Sequence, residues 1–156
     1  MSTPKNLDAI GMGYKLKQAQ HILRIHMDNA LRPLALTTPQ YAVLAQLELR
    51  PGISNADLAR ASFITAQTMH GIVSNLEKNN LLKRKQDSQH GRIICTELTN
   101  QGLEVVKQAH KIISKVEESM TRTMTQENKS LLEMLLIECI NNLNTNKITA
   151  NAISCN

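Results

Sequence analysis

A chain of 156 residues is long enough for one hydrophobic core and too short for two independent catalytic domains. Its formal charge of +5 fits an acidic partner, while one Phe, two Tyr and no Trp leave too few rings for a platform that stacks unpaired bases. No run approaches the roughly 20 apolar residues needed to span a bilayer, residues 1–10 lack a basic start followed by an apolar stretch, and Cys95, Cys139 and Cys155 have no paired metal spacing; the expected setting is the cytoplasm, with the thiols reduced.

A long first helix is expected from about Leu7 to Leu31. Leu16, Ala19, Leu23, Met27, Ala30 and Leu34 make one seam, and Ile22 and Ile25 add a second face. Apolar residues on more than one side call for two neighbours, which a dimer supplies more readily than a small monomer. Pro33 ends or turns this helix. Thr38-Pro39 then gives an N-cap followed by Pro at the first helical position, and the helix carrying Val43, Leu44 and Leu47 stops at Arg50-Pro51-Gly52.

Two capped starts follow in close succession. Ser54 can cap a short helix, with Asp57 returning the bond and Ile53 stapling onto Leu58, and that helix ends near Ala61. Thr65 caps the next, with Ile64 placed to staple onto Met69. Starts this close imply a sharp angle between the two helices. In the second helix Met69, Ile72, Val73 and Leu76 form one narrow apolar stripe. At about 100° per residue the opposite face centres on Gln67, Gly71, Ser74 and Lys78, flanked by Thr68, His70 and Asn75, with Thr65 at the helix start. An ordinary solvated face mixes Glu and Lys. This one offers neutral hydrogen-bonding groups and a close backbone approach at Gly71, which suits a helix entering the major groove.

Beyond Leu81, the pattern strand, polar loop, strand runs from Leu82 to Leu98 as a hairpin, with turn formers at Asp87, Ser88 and Gly91. Its bases cluster at two shoulders, Lys83-Arg84-Lys85 and Arg92, where they can meet phosphates beside the groove. After the hairpin, Val106, Ala109, Ile113, Val116 and Met120 recur at helical spacing, and Leu131, Leu132, Leu135, Leu136, Cys139, Ile140 and Leu143 form a broader stripe. The Asn-rich end from Asn141 to Asn156 is expected to fray beyond Leu143.

The run from Leu36-Thr37-Thr38-Pro39-Gln40-Tyr41 to Leu98-Thr99-Asn100-Gln101-Gly102 resembles the MarR family of winged helix-turn-helix regulators. The resemblance is carried by Asp57-Leu58-Ala59, Thr65-Ala66-Gln67-Thr68-Met69, Asn75-Leu76-Glu77-Lys78-Asn79-Asn80-Leu81 and the closing Leu98-Thr99. It implies a homodimeric, mostly helical repressor or activator of transcription that binds double-stranded DNA at a pseudo-palindromic operator. It also implies release by a small-molecule effector held between the first helix and the reading unit, with Tyr14, His21 and Tyr41 as candidate polar contacts. One departure stands out: members of the family commonly carry Asp-x-Arg at the wing, and this chain has His90-Gly91-Arg92. The Arg is kept without the acid that would hold it.

The expected fold is mainly α with a small β-hairpin wing, a winged helix-turn-helix plus a helical dimerisation region. Its parts are an N-terminal dimerisation helix (1–34), the DNA-binding region (35–99), C-terminal dimerisation helices (100–144) and a flexible tail (145–156). No metal or other cofactor is expected, because His21, His26, His70, His90 and His110 form no recognisable ligand set. No enzyme is expected either: the chain has no nucleophile elbow, phosphate-cradling glycine loop or paired carboxylates. Cys95 near His90 reads as a half-buried thiol, and the first helix lacks the reactive Cys of the family's peroxide sensors. The competing reading is a winged-helix module that binds protein, which a more apolar centre on the Gln67, Gly71, Ser74, Lys78 face would favour.

Overall fold

The computed structural model describes residues 11–86 and 94–152. The expected wing tip with His90 and Arg92, the start of the predicted first helix at Leu7, and Cys155 lie outside the described residues. Two compact units are distinguished, the first ending at Glu117 and the second beginning at Glu118.

In the first unit α1 (Met12–Leu31) leads through a 3-10 turn at Arg32–Leu34, which contains Pro33, into α2 (Thr38–Leu49). α2 is the hub: it buries Val43, Leu44 and Leu47 and touches α1, α3 (Asn55–Ala61), α4 (Ala66–Lys78) and β3 (Ile94–Leu98). Its cap is Thr37, one residue earlier than the Thr38-Pro39 pattern suggests. Thr37 and Gln40 form a reciprocal capping box, and Thr38 is drawn away to Asp28 of α1, whose Oδ1 accepts from the Thr38 amide at 2.6 Å and hydroxyl at 2.7 Å. Burial pushes the Asp28 carboxyl up, and these two hydrogen bonds together with Arg24 outweigh it, so its pKa is lowered.

The wing is a three-stranded antiparallel sheet in the order β1-β3-β2, with β1 (Ile53–Ser54) added to the expected hairpin of β2 (Leu82–Gln86) and β3. A two-residue strand carries no periodicity, and for this reason the spacing of Ile53 suggested only a helix staple. Pairing Ile53 with Thr96 and Ser54 with Cys95 ties the start of α3 to the wing. Thr96 is fully buried and donates to Asn55 Oδ1 at 3.0 Å. α5 (Asn100–Met120) closes the core with Val106, Ala109 and Ile113.

In the second unit α6 (Gln126–Ala152) stays helical beyond Leu143, where its composition predicts fraying. No Gly or Pro interrupts it, and each Asn costs only tenths of a kcal/mol in a helix. Among its described large apolar side chains Leu132 is half-buried and the others are exposed, from 39% at Leu136 to 69% at Leu143. On α1, Tyr14, Leu16, Ile22 and Ile25 are exposed as well.

Candidate nucleic-acid interface

The geometry begins at the N-terminus of α3. The Asp57 amide donates to Ser54 Oγ at 3.2 Å and the Ser54 hydroxyl donates to Asp57 Oδ2 at 2.7 Å, so the carboxylate returns its bond to the hydroxyl. The Ser54 hydroxyl first and then Arg60 hold the Asp57 carboxyl below its ordinary range. α3 ends in a cap in which the Phe63 and Ile64 amides bond back to the Arg60 and Ala59 carbonyls, and α4 starts two residues later. Thr65 caps it, accepting from the Thr68 amide at 3.2 Å.

Met69, Val73 and Leu76 are buried and Ile72 is half-buried against the core, which sets the rotation of α4 as its stripe predicts. Thr65, Gln67, Thr68, His70, Gly71, Asn75 and Lys78 are then exposed and Ser74 is half-buried. Nothing lies within 4 Å of a Cβ built on Gly71, so the backbone there is open to close approach.

Toward its C-terminus, Asn75 and Glu77 of α4 are engaged within the fold. Asn75 Oδ1 accepts from Gln40 Nε2 at 2.8 Å and from Asn79 Nδ2 at 3.3 Å, and Gln40 is itself held by its bond to the Thr37 amide. Glu77 Oε2 accepts from Arg84 Nε at 2.8 Å and pairs with the rest of the guanidinium. The Arg84 hydrogen bond holds the Glu77 carboxyl below its ordinary range, and the same bond raises Arg84.

Alternation along β2 places Lys83 and Lys85 on the face opposite Arg84. Both lysines lie near Glu97 of β3, at 3.7 and 3.4 Å. Each of the three shoulder cations among the described residues, Lys83, Arg84 and Lys85, therefore has a carboxylate partner. The lysine pairs are exposed and exchange readily with another anion, whereas Arg84 is the more buried and is bonded to α4. Sequence spacing ranked these cations as equals, because a partner on another element leaves no local trace.

The candidate effector contacts Tyr14, His21 and Tyr41 differ in exposure and partners. Tyr14 and His21 are exposed on α1, whereas Tyr41 Oη lies 2.8 Å from His110 Nδ1, with His110 Nε2 2.7 Å from Glu48 Oε2. Burial first, then the Glu117 and Glu48 charges, raises the Tyr41 pKa. Tyr41 and Glu48 are two turns apart on one face of α2, a pattern visible in the sequence; His110 on α5 had no such signal. A separate open cleft of about 600 Å³ is lined by Arg50, Pro51, Gly52, Ile53, Asp57, Arg60 and Ala61. Among the described residues no three His, Cys, Asp or Glu side chains are grouped to hold a metal ion, and no helix is long and apolar enough to cross a membrane.

A MarR family profile matches residues 36–93, the span from the end of the 3-10 turn into the wing. The HTH-type transcriptional repressor Rv2887 of Mycobacterium tuberculosis (strain ATCC 25618 / H37Rv) is 32% identical over 132 residues, covering 82% of this chain and 95% of that protein. This chain belongs to the MarR family. It is a helix-turn-helix transcriptional regulator, in a family of regulators and not of enzymes. Among solved structures, the M. tuberculosis MarR family protein Rv2887 in complex with salicylic acid is similar at 28% identity and a TM-score of 0.70, covering 83% of this chain and 96% of that one. The transcriptional repressor CouR bound to a 23-mer DNA duplex shares the fold at 23% identity and a TM-score of 0.82, covering 90% and 99%.

Proposed function

We propose that this MarR family member is a homodimeric repressor in the cytoplasm that reads a pseudo-palindromic double-stranded operator with α4. One observation carries the reading: the first half of α4 presents Gln67, Thr68, His70 and Gly71 to solvent with no carboxylate among them, on a helix whose rotation is set by its buried stripe. Such a face matches base edges in the major groove. Thr65, Ser74, Asn75 and Lys78 border it, and Lys83, Lys85 and Arg92 serve phosphates or the minor groove from the wing. Arg84 supports α4 through Glu77.

The exposed apolar residues of α1 and α6 favour a second copy as their cover. Residues 1–34 and 100–144 then serve dimerisation and 35–99 DNA binding, with 145–156 as a tail. A two-fold assembly would set two reading helices on successive major grooves, about 34 Å apart. An aromatic carboxylate is the effector class suggested by the salicylic acid complex of Rv2887, with Tyr14, His21 and Tyr41 as the contacts to examine first.

The test is selection from a random duplex pool, followed by salt-titrated binding of the selected sequences. An enriched inverted repeat with a steep salt slope is expected; a pool that stays random rules out specific reading. In parallel, Leu136→Asp should bring the mass measured by light scattering from dimer toward monomer, because it would bury an unpaired charge between copies. A monomeric wild type at micromolar concentration, with the fold intact, would remove the dimer.

A further inference from the structure

Among the described residues, three that are not glycine occupy the left-handed region: Ala35 at φ 52°, Phe63 at φ 55° and Asn80 at φ 58°. All three close the same kind of turn, in which the residue at positive φ and its successor donate back into the preceding turn of backbone. At Phe63 these bonds reach Arg60 O at 3.3 Å and, from Ile64, Ala59 O at 3.0 Å. Asn tolerates this conformation well and Ala brings only a methyl group, but Phe sets a bulky side chain where Gly would sit without strain. The fold returns nothing for it, since the ring is 97% exposed while its neighbour Ile64 packs against the core. Folding of the unit therefore gives no reason for a phenyl group here, and backbone strain at an exposed site directs attention to binding.

The position narrows the partner. Phe63 stands two residues before Thr65, the cap of α4, and so at the end of the reading helix that leads into the groove. Thr65, Ala66, Gln67 and Thr68 beside it are exposed, and no Asp or Glu occurs from Ala61 to Leu76. A single ring among neutral polar groups is a poor centre for a protein interface, which clusters apolar anchors over roughly 1,000 Å² or more. It does match the one apolar feature that the major groove presents, the C5-methyl group of thymine. Building on the assignment of α4 as the DNA-reading helix, we propose that Phe63 is a specificity-determining residue whose ring packs on a thymine methyl group beside the bases reached by the first turn of α4.

Phe63→Gly and Phe63→Asn both suit the left-handed turn, so the variants keep the fold and shed the ring. The probe is the duplex that the wild-type protein selects from the random pool, in native form and with deoxyuridine replacing each thymidine in turn. Both variants should melt at or above the wild-type temperature and bind the native duplex about tenfold more weakly. Their log affinity against log salt slope should be unchanged, because no phosphate contact is lost. Replacement at one thymidine should weaken the wild type several-fold and leave the variants unaffected. Wild-type affinity in both variants, or the absence of any such thymidine, overturns the proposal. So does a drop in mass on light scattering, which would place the ring between copies of the chain. If the wild type selects no sequence, the assignment of α4 fails, and this inference with it.

Discussion

The two halves of α4 carry similar polar residues under different constraints. In the first half, the Gln67 and His70 side chains have no hydrogen-bond partner among the described residues, and the Thr65 and Thr68 hydroxyls bond only to each other and the local cap. In the second half, Asn75 is bonded to Gln40 of α2 and Glu77 to Arg84 of β2, and just past the helix the Asn80 carbonyl accepts from the Thr99 hydroxyl ahead of α5. A side chain with a partner in the fold must give it up before it can serve a base, whereas a free one surrenders only rotamer freedom and hydration. The difference divides the helix into an end whose side chains are held and an end whose side chains stay available to a partner. It also explains why an amide at position 67 and another at position 75 are not interchangeable, although both lie on the polar face.

The most severe way to break the held end is Gly102→Ala. A Cβ there would lie 1.9 Å from the Leu81 carbonyl oxygen, which also accepts from the Thr99 amide, so neither backbone can step aside cheaply. A loss of about 3 kcal/mol is expected, at the upper end of what overpacking costs, and would appear as a lower urea midpoint at unchanged slope. An unchanged midpoint would mean that α5 does not brace the turn after α4.

A paired comparison comes next in size. Gln67→Ala should leave stability unchanged and relax base preference at one position of each half-site, worth about 1 to 3 kcal/mol of discrimination. Asn75→Ala should cost about 0.5 kcal/mol of stability by removing the solvent-exposed bond from the Gln40 amide and leave preference largely intact. Chemical denaturation and binding-site selection on both variants decide between them, and exchanged effects would reverse the roles of the two halves.

The smallest expected effect concerns acid. Because Arg84 lowers the Glu77 pKa from its ordinary value of 4.5, the ionised carboxylate contributes stability that is fully present above that value and is lost as pH falls through the lower folded value. Glu77→Gln should therefore destabilise modestly at neutral pH, by about 0.5 kcal/mol for a pair that solvent still reaches. The gap from wild type should close toward low pH. A gap that is constant with pH would leave the pair without an electrostatic share in holding the wing to α4.

What the linear sequence specified here was whatever rests on bonds between near neighbours. The Ser54 and Thr65 caps span three residues each, the Met69, Val73, Leu76 stripe repeats within one helix, and the hairpin strands adjoin one another in the chain, so helix-turn-helix, wing and the rotation of α4 were all legible. Only the tertiary structure decided the matters in which distant segments compete for a group. Asp28 claims Thr38 across ten residues and leaves the cap of α2 to Thr37; Gln40 reaches Asn75 across 35; and Tyr41 meets His110 across 69. Ile53 became a strand because β3 was there to pair with it, and Arg84 differs from the neighbouring lysines because the end of α4 placed Glu77 beside it. Local geometry is dictated by covalent spacing, whereas a long-range partner exists only after folding has met the entropy of closing the loop between the two groups, a choice that no stretch of sequence records by itself.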